Sequence, residues 1–176
     1  MVLKYQGGSA YFFETMSTVF VSFLQGMVNI FFSARFRVDG DSMLPSLRHG
    51  QSVFVVRTRF SWNKLRRGDV ALFLHPGEAG VTSIKRVVGL PDEDVKIAEG
   101  RVYIDGELLA EGYAEGERGE ADKEWFNGPS EYFMLGDNRA VRGDSRAFGP
   151  VSGELIRGRA WFLCWPPFSW RPLGRG

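Results

Sequence analysis

The chain has 176 residues, with 22 glycines, 8 prolines and a formal net charge of +1. That length suits one domain with an appendage, and near-neutral charge with scattered basic residues gives no reason to expect a nucleic-acid partner. The single cysteine, Cys164, excludes an internal disulfide, and the two histidines, His49 and His75, lie in polar turn-like surroundings that suggest neither a metal site nor a cofactor.

From Thr15 to Ala34 run 20 residues without a formal charge, among them Phe20, Phe23, Leu24, Ile30, Phe31 and Phe32. At about 1.5 Å per residue, a helix of that length crosses a hydrocarbon layer of roughly 30 Å once. Glu14, Thr18, Ser22, Gln25, Asn29 and Ser33 recur at steps of three or four and share one helical face. Such a stripe suits a spanning helix facing a partner helix, or an amphipathic helix lying in the interface. Interfacial helices usually carry Lys or Arg on the polar side and this one has none, which favours spanning. A cleavable leader is disfavoured because Phe32 stands where processing before Arg35 needs a small residue. Lys4 precedes the segment, and Arg35 and Arg37 follow it; counted alone, these charges lean towards a cytoplasmic carboxyl side.

Next comes Val38-Asp39-Gly40-Asp41-Ser42-Met43-Leu44-Pro45-Ser46-Leu47. Pro45 restricts its own φ and pushes Leu44 towards extended geometry, while Gly40 lets the backbone approach a ligand closely. Ser42 is an ordinary loop serine unless a base faces it.

Beyond Pro45 the pattern is β-rich. Gln51–Val56, Val70–Leu74 and Val81–Pro91 read as strands, the last ended by Gly89 and Pro91. Asp94–Ile97, Arg101–Ile104 and Glu107–Leu109 are separated by Glu99-Gly100 and Asp105-Gly106, the spacing of a meander of short hairpins. Ala110–Trp125 is polar and reads as a connection. Glu131–Leu135 is a strand running into Gly136-Asp137-Asn138-Arg139 and Gly143-Asp144-Ser145-Arg146. A final apolar strand, Ile156–Trp165, ends at Pro166-Pro167. The prediction is a mainly β fold: residues 1–35 as anchor segment, residues 36–176 as β-rich domain, and about 96–130 as a small hairpin insertion. In the tail, Trp161 and Phe162 are expected inside and Trp170 at a membrane surface.

Lys85 stands within the apolar run Ile84–Leu90. Buried there, its ammonium would lose hydration and its pKa would fall from about 10.4, leaving an amine able to take a serine proton. The alternative is a lysine that lays its stem on the sheet and keeps its amine in water.

Together these segments resemble the type I signal peptidase family of serine–lysine proteases. Gly40-Asp41-Ser42-Met43-Leu44-Pro45-Ser46-Leu47 is similar to its nucleophile box, and Arg67-Gly68-Asp69-Val70 to the strand start that follows. Lys85-Arg86-Val87-Val88-Gly89-Leu90-Pro91 is similar to the general-base box, and Gly136–Arg139 with Gly143–Arg146 to the last box. The resemblance implies a signal-peptidase/LexA-like β-sheet fold with a single N-terminal transmembrane helix. It makes Ser42 the nucleophile and Lys85 the general base. The Ser42 N–H and a group at the Gly40 position would hold the oxyanion. Asp144 and Arg146 would brace the dyad, with Ser145 or a water as a further support. Met43, Leu44, Ser83 and Ile84 are the expected walls of shallow pockets for small side chains. The partners implied are preprotein signal peptides and the lipid bilayer. The chain would be a monomer anchored once in the plasma (inner) membrane, with its catalytic domain on the extracytoplasmic side, against the arginine count.

One departure stands out: Arg142 occupies a position where family members often place a serine within reach of the lysine. Pointing inward, it would depress the lysine pKa by like-charge repulsion; pointing outward, it leaves the lysine without that partner. Three other readings are a LexA-like self-cleaving protein, a specialised secretion peptidase, and a membrane-tethered domain without catalysis. The first should carry a DNA-binding domain before the serine, where this chain has a hydrophobic segment.

Overall fold

The computed structural model describes residues 33–57, 64–114 and 122–174. The chain divides into two compact units, Met1–Ser33 and Ala34–Gly176. All but the last two residues of the predicted helix over Thr15–Ala34 lie outside the described residues. Ser33 and Ala34 do not end a helix; they open a strand, β1 (Ser33–Arg37), whose arginines at 35 and 37 break the apolar run. Among the described residues no helix is long and apolar enough to cross a membrane.

The strands that follow are β2 (Ser52–Val56), β3 (Val70–Leu74), β4 (Thr82–Gly89), β5 (Asp94–Ala98), β6 (Arg101–Ile104) and β7 (Glu107–Leu108). After them come β8 (Lys123–Phe126), β9 (Glu131–Leu135), a one-turn helix α1 (Ser145–Phe148), β10 (Val151–Ser152), β11 (Ile156–Trp165) and β12 (Arg171–Pro172). They form two sheets. The larger runs β1-β2-β11-β3-β4-β9-β10, with β12 beside β11; the smaller runs β7-β6-β5-β8. The β8 strand was not expected: its Lys-Glu-Trp-Phe sequence reads as polar connection, and it forms because it pairs antiparallel with β5. Two-residue strands such as β10 and β12 are too short to leave a periodic pattern.

β3, Val-Ala-Leu-Phe-Leu, sits between β11 and β4 and is covered on both faces, as a continuous apolar run requires. Val70 and Leu72 join Val38, Met43, Leu47, Val53, Val55 and Leu163 on one side. Ala71 and Phe73 join Leu65, Val87, Met134 and Val151 on the other. A third cluster, with Val95, Ile97, Val102, Ile104, Phe133 and Leu135, fastens the small sheet to the large one. The strand that carries Lys85 is thus central, and its register is fixed: Lys85 stands opposite Ala71, and Ile84 opposite Leu72.

Candidate active site

Ser42 lies in the turn between β1 and β2. Leu44 N–H donates to Asp41 O at 3.2 Å and Leu47 N–H to Met43 O at 2.8 Å, which winds the segment tightly. The Leu44–Pro45 peptide is cis. Met43 and Leu47 are buried anchors of the first core cluster, holding the turn down while Ser42 stays partly open. The 136–138 segment holds the turn from its other side. Asn138 N–H donates to Ser42 O at 3.1 Å and Asn138 Nδ2 to Asp41 O at 3.2 Å.

Lys85 reaches this turn from β4. Its side chain stands opposite the small Ala71, which leaves room for the stem, and its Nζ is hydrogen-bonded to Ser42 Oγ. Lys85 is only 6% exposed. Burial is the largest influence on the amine and lowers its pKa from 10.5. Asp144 and Asp137 raise it, and Arg146 lowers it. With the amine neutral, the serine hydroxyl can donate its proton to Nζ.

The motif around Asp144 braces this arrangement. Arg146 Nε donates to Asp144 Oδ1 at 2.8 Å and Nη2 to Oδ2 at 2.9 Å, a two-point pair. Asp144 also caps α1 by accepting from Arg146 N–H at 3.1 Å, and accepts from Gly136 N–H at 3.1 Å. Arg146 continues to Arg139 O and Val141 O at 2.8 and 2.7 Å. The Ser145 hydroxyl accepts from Met134 N–H at 2.9 Å, tying α1 to β9. Arg142 is exposed, whereas Arg146 is buried and lowers the Lys85 pKa.

A second buried pair was not foreseen as part of the site. Arg86 Nε and Nη2 donate to Asp137 Oδ1 and Oδ2 at 2.7 and 2.6 Å. Nη1 donates to Gly68 O at 2.7 Å and Nη2 to Ser46 Oγ at 3.2 Å. One side chain thus joins the turn that carries Ser42, the turn before β3 and the loop after β9. The available signal was an arginine within an apolar strand, directly after Lys85.

The cleft beside the two residues has a volume of about 190 Å³, and its walls include Phe36, Val53, Leu72, Ser83 and Ile84. Met43 is not among them, because its side chain is committed to the core, and half-buried Leu44 is not either. A larger hollow of about 540 Å³ shares Phe36, Leu72 and Thr82 but includes neither Ser42 nor Lys85, so the chemistry points to the smaller one. Gly40 has φ +82°, a conformation glycine adopts without strain, and its N–H donates to His49 Nδ1 at 3.2 Å. The Ser42 N–H makes no hydrogen bond among the described residues. Among them, too, no group of three His, Cys, Asp or Glu side chains is placed to hold a metal ion.

The family model described as signal peptidase, peptidase S26, matches residues 12–165. The chain belongs to the signal peptidase family, peptidase S26. Its similarity to a signal peptidase I of Leptolyngbya laminosa is 37% identity over 142 residues, 73% of this chain and 67% of that protein. A probable signal peptidase I-1 of Synechocystis sp. is 31% identical over 176 residues, covering 92% of this chain and 86% of its own. A crystal structure of a signal peptidase I from Enterococcus faecalis V583 matches with a TM-score of 0.49 and 31% identity, over 55% of this chain and 96% of that one. This signal peptidase is therefore a serine endopeptidase by family, on a mainly β scaffold.

Proposed function

We propose that this signal peptidase removes signal peptides from exported preproteins, with Ser42 as nucleophile and Lys85 as general base. The observation that carries the reading is the hydrogen bond between Lys85 Nζ and Ser42 Oγ, made by a lysine shut away from water. Ser42 Oγ attacks the scissile carbonyl as its proton passes to Lys85 Nζ. The lysine then gives that proton to the leaving amine, and the bond to the mature chain breaks. Water attacks the acyl-enzyme with the lysine again as base, which frees the signal peptide and restores the serine. The Ser42 N–H is the candidate donor to the developing oxyanion; Gly40 N–H, engaged by His49, is not offered as the second.

Substrate binding follows from strand pairing. β3 covers one edge of β4 from Thr82 to Arg86, whereas β9 pairs with the other edge only from Arg86 onward. The edge at residues 82–85 is open among the described residues, and an extended peptide can add there as a strand. Ser83 and Ile84 would then bound shallow pockets for small side chains, in keeping with the small residues before a signal-peptide cleavage site.

Membrane attachment belongs to the same reading. The apolar stretch 15–32, ahead of β1, is the proposed single anchor. Trp165, Phe168 and Trp170 are 48, 90 and 62% exposed at the end of β11, where aromatic side chains suit the headgroup region. Signal peptides emerge on the extracytoplasmic side, so the catalytic unit is proposed to lie there; protease protection in sealed vesicles tests it. The function itself is tested by incubating the purified protein with a preprotein. Cleavage at the signal-peptide junction, abolished in Ser42→Ala and in Lys85→Ala, is expected; substantial turnover in either variant overturns the dyad.

A further inference from the structure

The loop that presses on Ser42 is held from its far side by two residues outside every motif singled out in the sequence. Arg139 Nη1 donates to Glu111 Oε2 at 3.0 Å and Nη2 to Glu111 Oε1, with the two side chains 3% and 2% exposed. The same arginine donates from Nε to Gly136 O at 2.9 Å. The Tyr113 ring lies 4.2 Å from the Arg86 guanidinium, and its hydroxyl donates to Glu111 Oε1 at 3.4 Å. Both arginines that grip the 136–139 segment are thus gripped in turn from residues 111–113, which leave the small sheet just after β7. This stretch, expected to be mere connection, is built into the site.

We propose that Tyr113 and Glu111 are positioning residues of this peptidase: from the small sheet they clamp the 136–139 segment against the Ser42 carbonyl, and so set the approach of the Ser42 hydroxyl to the Lys85 amine. The inference rests on the reading of Ser42 and Lys85 given above. Two buried cations, Arg86 and Arg139, face two buried carboxylates, Asp137 and Glu111, so the clamp is neutral as a whole. Removing one member would leave a buried charge without its partner. Burial holds the Tyr113 hydroxyl far above its usual range, with Glu111 adding to the effect and Arg139 and Arg86 opposing it, so the phenol stays a donor. The charges acting on Lys85 are Asp144, Arg146 and Asp137. Tyr113 and Glu111 touch Arg86 and Arg139, which hold the segment, and make no bond to the amine. When the clamp slackens, water gains access to Nζ, the effect of burial weakens, and the lysine titrates at higher pH.

The test is the pH dependence of kcat/KM for a signal-peptide substrate, measured on wild type and Tyr113→Leu together, with the folded fraction followed by thermal unfolding. Tyr113→Leu leaves the net charge unchanged. Its acid limb is expected to move up by about half a pH unit, roughly threefold in kcat/KM on the acid side. KM should hold, and Tyr113→Phe, which keeps the ring over Arg86, should bring the limb back. Glu111→Gln with Arg139→Gln removes both charges at once; it is expected to move the limb the same way and serves if Tyr113→Leu does not fold. A limb at the wild-type position, with only the amplitude reduced, overturns the proposal. A wild-type profile without such a limb would overturn the dyad instead, so the two failures are distinguishable.

Discussion

Gly136 stands so close to Ser42 that a Cβ built on it would lie 2.5 Å from the Ser42 carbonyl oxygen. The contact is backbone against backbone and cannot be relieved by rotating a side chain. Gly136→Ala must therefore move the proposed nucleophile relative to Lys85. We expect kcat/KM to fall by about 100-fold, because a displacement approaching 1 Å is enough to spoil an aligned attack. The overpacking should cost only about 1–3 kcal/mol of stability, read from denaturant unfolding. Near-wild-type turnover would show that Gly136 does not set the serine.

Lys85 makes the activity pH-dependent in a definite direction. Its folded-state pKa is lowered from 10.5 by burial, so the competent neutral amine accumulates as pH rises through that lowered value. Cleavage should climb along a single acid limb situated below pH 10.5. An activity that is flat across neutral and alkaline pH would argue against a lysine base.

The same shift has a stability consequence. Unfolding restores the ordinary lysine pKa, so between the lowered value and 10.5 the unfolded chain binds more protons than the folded one. Stability linked to Lys85 is therefore lost as pH falls from 10.5, and the loss is complete below the folded-state pKa. Lys85→Met should be more stable than wild type at neutral pH, with a gap that narrows towards pH 10.5 in urea titrations. A gap independent of pH would mean that the amine is not desolvated.

Asp144→Asn would leave Arg146 buried without its anion, at a cost of about 3–5 kcal/mol by chemical denaturation. Asp144 also raises the Lys85 pKa, so the activity that survives should have its acid limb at lower pH than wild type. A limb shifted upward would contradict the assigned sign.

Phe168→Ser combined with Trp170→Ser strips two exposed aromatics from the end of β11. Partition of the catalytic unit onto lipid vesicles, measured by co-sedimentation, should weaken by about tenfold or more. Unchanged partition would remove this rim from the proposed membrane contact.

Local pattern was enough for much of the scaffold. Val70–Leu74, Arg101–Ile104, Glu131–Leu135 and Ile156–Trp165 are strands over the residues their apolar runs and flanking turn residues indicate. The motifs around Ser42, Lys85 and Asp144 were singled out by their order along the chain and their resemblance to the boxes of a protease family. β1 was hidden because Ser33 and Ala34 continue an uncharged run, and β8 because a polar strand owes its existence to its partner. Side-chain destination was the other gap. Met43 looks like a cleft residue beside Ser42, yet the winding of its turn sends it into the core. Which way Arg142 points was open in the sequence; it is exposed, while Arg146 is buried by its pair with Asp144 and its bonds to Arg139 O and Val141 O. Glu111 and Tyr113 had no signal, because their role consists of contacts with Arg139 and Arg86, 28 residues away in the first case. Composition and order determined which strands and turns this chain can make. Burial and long-range pairing, which no local window contains, decided which amine loses its water and which hydroxyl it meets.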